Sequence, residues 1–318
     1  MWRHYTIERS SMKLSLSTSE PIAIITSGGG MKCAYAGGAL VALARELGIK
    51  NPDIFVAASG SVGSMFYFLS GQYDEIQKAW TSFIPSPAFI RYAPLPAMRI
   101  NYLIDTIFKD YLPLNVKSVD ASTTKYFVPV TDVDTGRADF ITNDTWFNPY
   151  EVMRAAKAVP ILYNGHVHLG GRSFLDGDFS TSVASLVQTA IDAGAKRILC
   201  ITNTDAPGRF EAGILKAYAM MLNPALRLAV LEDIMNDKPI QWPDGVEFMT
   251  LSPSLPLPSS LYTRDRRKVI ETFTMGYEDV LSRRTEIEKL FGSTVPASND
   301  TIETYEPVSR KQESAPSV

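Results

Sequence analysis

The chain is polar for its first twenty residues and then turns apolar over 22–25, Ile-Ala-Ile-Ile, a run rich in β-branched side chains that ends at Ser27. A short run with no polar alternation predicts a strand buried on both faces, as in a parallel sheet. Gly28-Gly29-Gly30 interrupts it. Leu40, Leu43, Ala44 and Leu47 then recur at helical spacing, with Gly48 at the expected stop. A second apolar run over 54–58 leads into Ser59-Gly60-Ser61-Val62-Gly63 and a helix predicted from Ser64. The opening order β-α-β-α is the signature of a parallel sheet covered by helices.

Residues 73–118 read as mostly helical, cut into short pieces by Pro85, Pro87, Pro94, Pro96 and Pro113, and so as an irregular cover over one end of the sheet. A strand follows over 126–133, where Pro129 favours an edge or a bulge. Asp134-Thr135-Gly136 makes a turn and 138–142 returns. Asn148 as N-cap, Pro149 in the first turn and Glu151 start a helix that Pro160 ends. Phe174-Leu175 lead into Asp176-Gly177-Asp178; a helix over 183–193 and a strand over 197–202 repeat the α-then-β order. The last strand is expected over 246–251, and one long or broken helix over 263–290. The pattern predicts a flexible arm over 1–20, one domain over 21–295 and a polar, aperiodic, disordered tail over 296–318. The fold class is α/β, a three-layer α/β/α domain with a mainly parallel central sheet.

Composition narrows the function. Of 318 residues, 45% are hydrophobic and 20% charged, enough to bury a real core. Lys+Arg 31 against Asp+Glu 34 gives a net charge of -3, which argues against nucleic acid as a partner because neutralising phosphates needs a cationic excess. Two cysteines, Cys33 and Cys200, make neither a disulfide framework nor a cysteine zinc site, and read as a reducing, cytoplasmic setting. The first twenty residues lack the apolar core of a signal peptide, and Met12 offers a second start. No apolar run reaches the ~18 residues of a membrane span; the greasiest stretch, 212–231, is broken by Lys216, Asn223, Pro224 and Arg227. The expectation is a soluble protein, at most peripheral at a membrane. Leu215, Tyr218, Ala219 and Leu222, beside Met220 and Met221, have helical spacing; core packing is the first reading and an interfacial surface the alternative.

Candidate chemistry begins with Ser61. A serine hydroxyl becomes a nucleophile when a tight turn between strand and helix raises it out of the fold, a base deprotonates it and donors hold the oxyanion. Small residues must flank that turn. Around Ser61 these are Ser59, Gly60 and Gly63, so the usual Gly-x-Ser-x-Gly elbow stands here as Ser-x-Ser-x-Gly. Taken alone, the five residues also fit a serine N-cap in a small-residue turn. Ser59 is the competing nucleophile, but Ser61 would then hold the glycine place two residues on, and Ser61 is preferred.

Gly28-Gly29-Gly30-Met31-Lys32 lies between the first strand and first helix, where successive backbone N–H groups can face one anionic atom. A dinucleotide loop would want a glycine where Cys33 stands and an acid ending the second strand; a P-loop would want Gly-Lys-Ser/Thr. An oxyanion hole needs only adjacent donors near the nucleophile. Alone the loop is ambiguous; beside an elbow on the following strand, the oxyanion reading leads. The base is harder to place. His4 lies in the arm, His166 and His168 flank Val167 in a polar hairpin, and no histidine follows 168, so a histidine triad is poorly supported. Asp176, followed by Gly177, is the alternative: a carboxylate within reach of Ser61 takes its proton directly. By itself Asp-Gly is also simply a turn.

The order GGGMK, SGSVG on the next strand, then DGD some 115 residues later resembles the patatin-like phospholipases. Arg154-Ala155-Ala156-Lys157-Ala158-Val159-Pro160 looks like that family's small-residue helix ending in proline, and 192–199 like its passage from helix to strand. The resemblance extends from about Pro21 into the 250s. It implies a lipid acyl hydrolase with Ser61 as nucleophile, Asp176 as base, an oxyanion hole from Gly28, Gly29, Gly30, Met31 and Lys32, and no metal or organic cofactor. Lys32 is expected to brace the loop or attract an anionic headgroup. The implied substrate is a lipid ester, phospholipid or acylglycerol, cleaved through an acyl-enzyme. A weakened lipid- or protein-binding module, or an acyltransferase using the same dyad, is the alternative. Three positions depart from the family. Cys33 closes the first motif in place of glycine, setting helix and strand slightly further apart. Ser59 adds a Cβ to a crowded turn. Asp178 brings a second charge beside the base, which raises a carboxylate pKa and moves activity to higher pH if it points inward.

Overall fold

Alternate residues along the first strands divide between two cores, because successive side chains of a strand point to opposite faces. Ile24, Phe55 and Leu199 face one core and Ala23, Ile25, Ile54, Val56 and Cys200 the other, so the sheet is covered on both sides. The computed structural model describes residues 20–92, 97–159, 166–203, 224, 227 and 242–292. The expected tail, His4, Pro160, the stripe at 215–222 and, but for residue 20, the arm lie outside the described residues.

Among those residues, one eight-stranded sheet runs in the order β10 (Glu247–Leu251), β9 (Arg197–Ile201), β1 (Ile22–Thr26), β2 (Ile54–Ala57), β5 (Lys125–Asp132), β8 (Arg172–Asp176), β7 (Val167–Leu169), with β6 (Ala138–Thr142) paired to β5. The five from β10 to β5 are mutually parallel; β6 and β8 run antiparallel to β5, and β7 antiparallel to β8. A second sheet, β3 (Ile90–Arg91) with β4 (Ala97–Met98), is a hairpin within the cover. The rest of that cover holds the helix Tyr73–Lys78, wide π-helical turns at Ala79–Phe83 and Tyr102–Tyr111, and the helix Val116–Asp120.

One edge of β5 decides the site. Phe127 pairs with Val56 of β2 and with Thr142 of β6, so β2 and β6 lie on opposite edges. Val130 pairs with Asp139 of β6 and with Asp176 of β8, which puts β8 on the edge that β2 uses. β2 runs parallel to β5 and β8 runs antiparallel, so their C-terminal ends converge head-on over two residues of β5, Val128 and Pro129. Pro129 therefore sits neither on a sheet edge nor at a bulge; it occupies the gap between two partner strands, a place that tolerates a residue without an N–H donor.

Helix α1 (Ala34–Glu46) packs on the helix Arg266–Ser282 through facing glycines: a Cβ on Gly276 would lie 2.0 Å from the Tyr35 carbonyl oxygen. The last helix is the broken alternative, in two pieces, Arg266–Ser282 and Arg284–Phe291. Asn148 caps the helix Pro149–Ala155 as its sequence implies, its side chain accepting the Tyr150 N–H.

Candidate active site

Thr26 of β1 lies opposite Ala57 of β2 and Ile201 of β9, so these strands leave the sheet level with one another. The glycine loop, the serine turn and Asn203 all emerge at this carboxyl edge, where open parallel sheets hold their ligands. Asp176 arrives from the opposite direction on β8.

The structure brings Asp176 to Ser59. The Ser59 hydroxyl donates to Asp176 Oδ2 at 2.6 Å, and the Asp178 backbone N–H donates to Oδ1 at 3.0 Å. Ser59 carries φ 47, the one described non-glycine residue in the left-handed region. Helix α2 (Ser61–Leu69) starts two residues later, directing its N-terminal N–H groups toward the turn.

The expectation that Ser61 meets Asp176 is not met. The helix was expected from Ser64 but starts at Ser61, which buries that residue in its first turn, and the Ser61 hydroxyl donates to the Ser27 carbonyl at 2.8 Å. Asn203 Nδ2 donates to both Ser61 Oγ, at 3.1 Å, and the Ser27 carbonyl, at 2.6 Å. Ser61 thus ties α2 to the base of the glycine loop. The elbow frame moves with it: Ala57 and Ser61 stand two residues either side of Ser59, Gly60 follows it, and Gly63 lies inside α2, where a Cβ would be 3.2 Å from the Phe108 ring. Gly60 has no room for a side chain either; a Cβ would lie 2.8 Å from both Cys33 Sγ and the Gly30 carbonyl oxygen. Cys33, buried, fills the space that a glycine at 33 would leave open.

The glycine loop turns through Gly29 (φ 135) and Gly30 (φ 55), conformations a side chain would strain. Two of its five expected donors are committed elsewhere: the Met31 N–H donates to the Leu261 carbonyl at 3.1 Å, and the Lys32 N–H to the Gly29 carbonyl at 3.1 Å. Met31 and Lys32 are therefore loop braces, and Gly28, Gly29 and Gly30 are the donors that remain to be considered. Asp178 does point inward, with its carboxylate against Gly28, where a Cβ would sit 1.9 Å from Oδ2. Its backbone N–H, donated to Asp176 Oδ1, lowers the Asp176 pKa. Burial instead raises Asp176, to about 6; the Ser59 hydroxyl, the Asp178 N–H and the Lys157 charge all pull it down.

A cavity of about 190 Å³ adjoins the pair. Ser59, Gly60, Lys157 and Asp176 line one part of it and apolar side chains such as Trp80, Ile84, Phe89, Leu103 and Phe108 another; Ser61 is not on its wall. His168 lies on the β7–β8 hairpin, its Nδ1 2.9 Å from the Ser173 hydroxyl, so it forms part of the hairpin. Among the described residues, no three His, Cys, Asp or Glu side chains are grouped so as to hold a metal ion, and no helix is long and apolar enough to cross a membrane.

Sequence reasoning set Ser59 aside and passed over Lys157, Asn203 and the Leu261 carbonyl. For Ser59 the signal was present: the turn Ala57-Ala58-Ser59-Gly60-Ser61 has small residues at every flanking place, and Ser59 follows directly on the apolar run.

The fold is of the α/β class, with a mainly parallel central sheet flanked by helices and a serine–carboxylate pair at the sheet's carboxyl edge. Residues 24–184, half of the chain, match the patatin-like phospholipase family, and the chain belongs to it. It is 26% identical over 201 residues to the uncharacterized protein YjjU of Escherichia coli (strain K12), covering 59% of this chain and 54% of that protein, so the chain spans about half the length of this curated relative. Similar solved structures include VipD from Legionella pneumophila (TM-score 0.43, 13% identity, 84% of this chain and 67% of that one). Another is human GIVD cytosolic phospholipase A2 in complex with methyl gamma-linolenyl fluorophosphonate (TM-score 0.46, 11% identity, 86% of this chain and 58% of that one).

Proposed function

We propose that the chain hydrolyses carboxylic esters of lipids through an acyl-enzyme, with Ser59 as nucleophile and Asp176 as its only base. The observation that carries this reading is the 2.6 Å hydrogen bond from the Ser59 hydroxyl to Asp176, at a residue held in the left-handed region. As Ser59 Oγ attacks the acyl carbonyl carbon, its proton passes to Asp176. Backbone N–H groups of Gly29 and Gly30, with Gly28 beside them, receive the oxyanion. The tetrahedral intermediate collapses and the leaving alkoxide takes the proton from Asp176. Water then attacks the acyl-enzyme, giving its proton to the same carboxylate. Asp176 returns that proton to Ser59 as the fatty acid departs.

The apolar cavity beside the pair suits an acyl chain, which supports a lipid ester over a polar one. A cytoplasmic enzyme working on lipid at a membrane surface fits this reading. Incubation with phospholipid vesicles and with aryl esters tests it: wild type should release free fatty acid and Asp176→Asn none. Transfer of the acyl group to an added alcohol in place of water would redirect the reading to an acyltransferase, and no turnover of any ester would overturn it.

A further inference from the structure

We propose that Lys157 is a positioning residue of the Ser59–Asp176 pair, its buried ammonium group fixing the serine's backbone and supplying the countercharge that keeps Asp176 ionised. The inference rests on the reading of Asp176 as base.

Lys157 stands just beyond the helix Pro149–Ala155, in a run of small apolar residues, Ala155, Ala156, Ala158 and Val159. Ala155, Ala156 and Ala158 are buried, Val159 is half-buried, and Lys157 itself is 6% exposed. A lysine there does not reach water, so its charge must be met from within. Nζ donates to the carbonyl oxygen of Ser59 at 2.9 Å, an oxygen that also accepts the Val62 N–H at 3.2 Å. The left-handed residue is therefore held through its hydroxyl by Asp176 and through its carbonyl by Lys157 and α2. Lys157 and Asp176 also line the same cavity.

Among the described residues, four groups act on Asp176 or share its surroundings. Ser59 faces it from the turn after β2, Cys33 from the start of α1, Asp178 from its own turn and Lys157 from beyond the helix Pro149–Ala155. Burial pushes the Cys33 thiol up to about 12, so it stays neutral. Of these groups Lys157 alone is a cation. Burial drives Lys157 down to about 8, opposed by Asp176, Cys33 and Asp178, which leaves it charged at neutral pH. Without that charge only the Ser59 hydroxyl and the Asp178 N–H would oppose burial, so Asp176 would keep its own proton to higher pH and have no room for the serine's.

The experiment is a pH titration of the Asp176 carboxyl by infrared difference spectroscopy, its band identified by its loss in Asp176→Asn. In Lys157→Gln, which keeps a donor without the charge, and in Lys157→Met, the midpoint should rise by at least about one pH unit, a tenfold change in ionisation. The acid limb of ester hydrolysis should rise with it. A merely structural lysine would lower the rate at every pH and leave the midpoint where it was; that result in a folded variant overturns the proposal. Should neither variant fold, wild type carries the test: the Asp176 band should respond again near pH 8, as Lys157 loses its proton, and an indifferent band overturns it. Because the infrared readout needs no turnover, absence of ester hydrolysis would sink the proposed function while this inference was still measured.

Discussion

Ser59 and Asp176 are 117 residues apart in the chain and 2.6 Å apart at their oxygens. The meeting is a consequence of topology: β2 and β8 share one edge of β5, run in opposite senses and end facing each other. The two strand ends need no long loop to bring the side chains together. A family motif on each strand end then acquires a shared geometry.

Replacing each serine separates their roles. Ser59→Ala should lower kcat for an aryl ester by at least about 10⁴-fold, the scale on which loss of a nucleophile is felt. Ser61→Ala removes only the hydrogen bonds to Ser27 and Asn203, worth about 0.5–1.5 kcal/mol each, and should keep activity within about tenfold of wild type. Steady-state kinetics on both purified variants, with circular dichroism as a fold check, decides the pair.

Activity and stability should depend on pH in opposite senses through Asp176. The base must be ionised, so kcat/KM should climb as pH rises through about 6. Burial raises this carboxyl above its ordinary 3.8, so the stability it contributes is fully present below that value and is lost as pH rises through about 6. Asp176→Asn, which cannot ionise, should lack that pH dependence, while also losing the partner of the buried Lys157 charge. Melting curves from pH 4 to pH 7 check it: Tm should fall with rising pH more in wild type than in Asp176→Asn.

Gly60 should not tolerate a methyl group. In Gly60→Ala the new carbon would meet Cys33 Sγ and the Gly30 carbonyl oxygen, both at 2.8 Å, and relief would have to come from the glycine loop. Overpacking of this kind costs about 1–3 kcal/mol, and displacement of the loop should cut kcat more than it raises KM. Adding Cys33→Gly should restore part of the loss, which a double-mutant cycle on Tm and kcat measures.

Filling the cavity should shorten the acyl chain accepted. Ala79 is on its wall, buried, and lies in the π-helical turn Ala79–Phe83. Ala79→Phe should spare hydrolysis of an acetyl ester and depress that of a decanoyl ester by at least about tenfold, read as the ratio of kcat/KM over a chain-length series.

Much of this was legible locally. Apolar runs with no alternation announced β1 and β2 as parallel strands, Asn148-Pro149 announced a helix start, and Gly28 to Gly30 announced a turn no side chain could make. Asp176 could be named because β8 ends in Asp-Gly. What failed was a register of two residues. Whether Ser59 or Ser61 heads the turn depends on where β2 leaves its ladder with β1 and on the first hydrogen bond of α2, and small residues flank both serines. The other parts of the site come from far away and carry no motif: the Leu261 carbonyl that takes the Met31 N–H is backbone, and Asn203 is one polar residue beyond a strand. Lys157 left a physical trace, a cation in a run of alanines, which only burial made legible.

The central claim is that Ser59, and not Ser61, is the activated hydroxyl. The most direct measurement is peptide mass spectrometry after treatment of the wild-type protein with a fluorophosphonate, which phosphonylates an activated serine oxygen as fluoride leaves. The account predicts one adduct, on Ser59, absent in Asp176→Asn and retained in Ser61→Ala. An adduct on Ser61, or none on either serine, would contradict it.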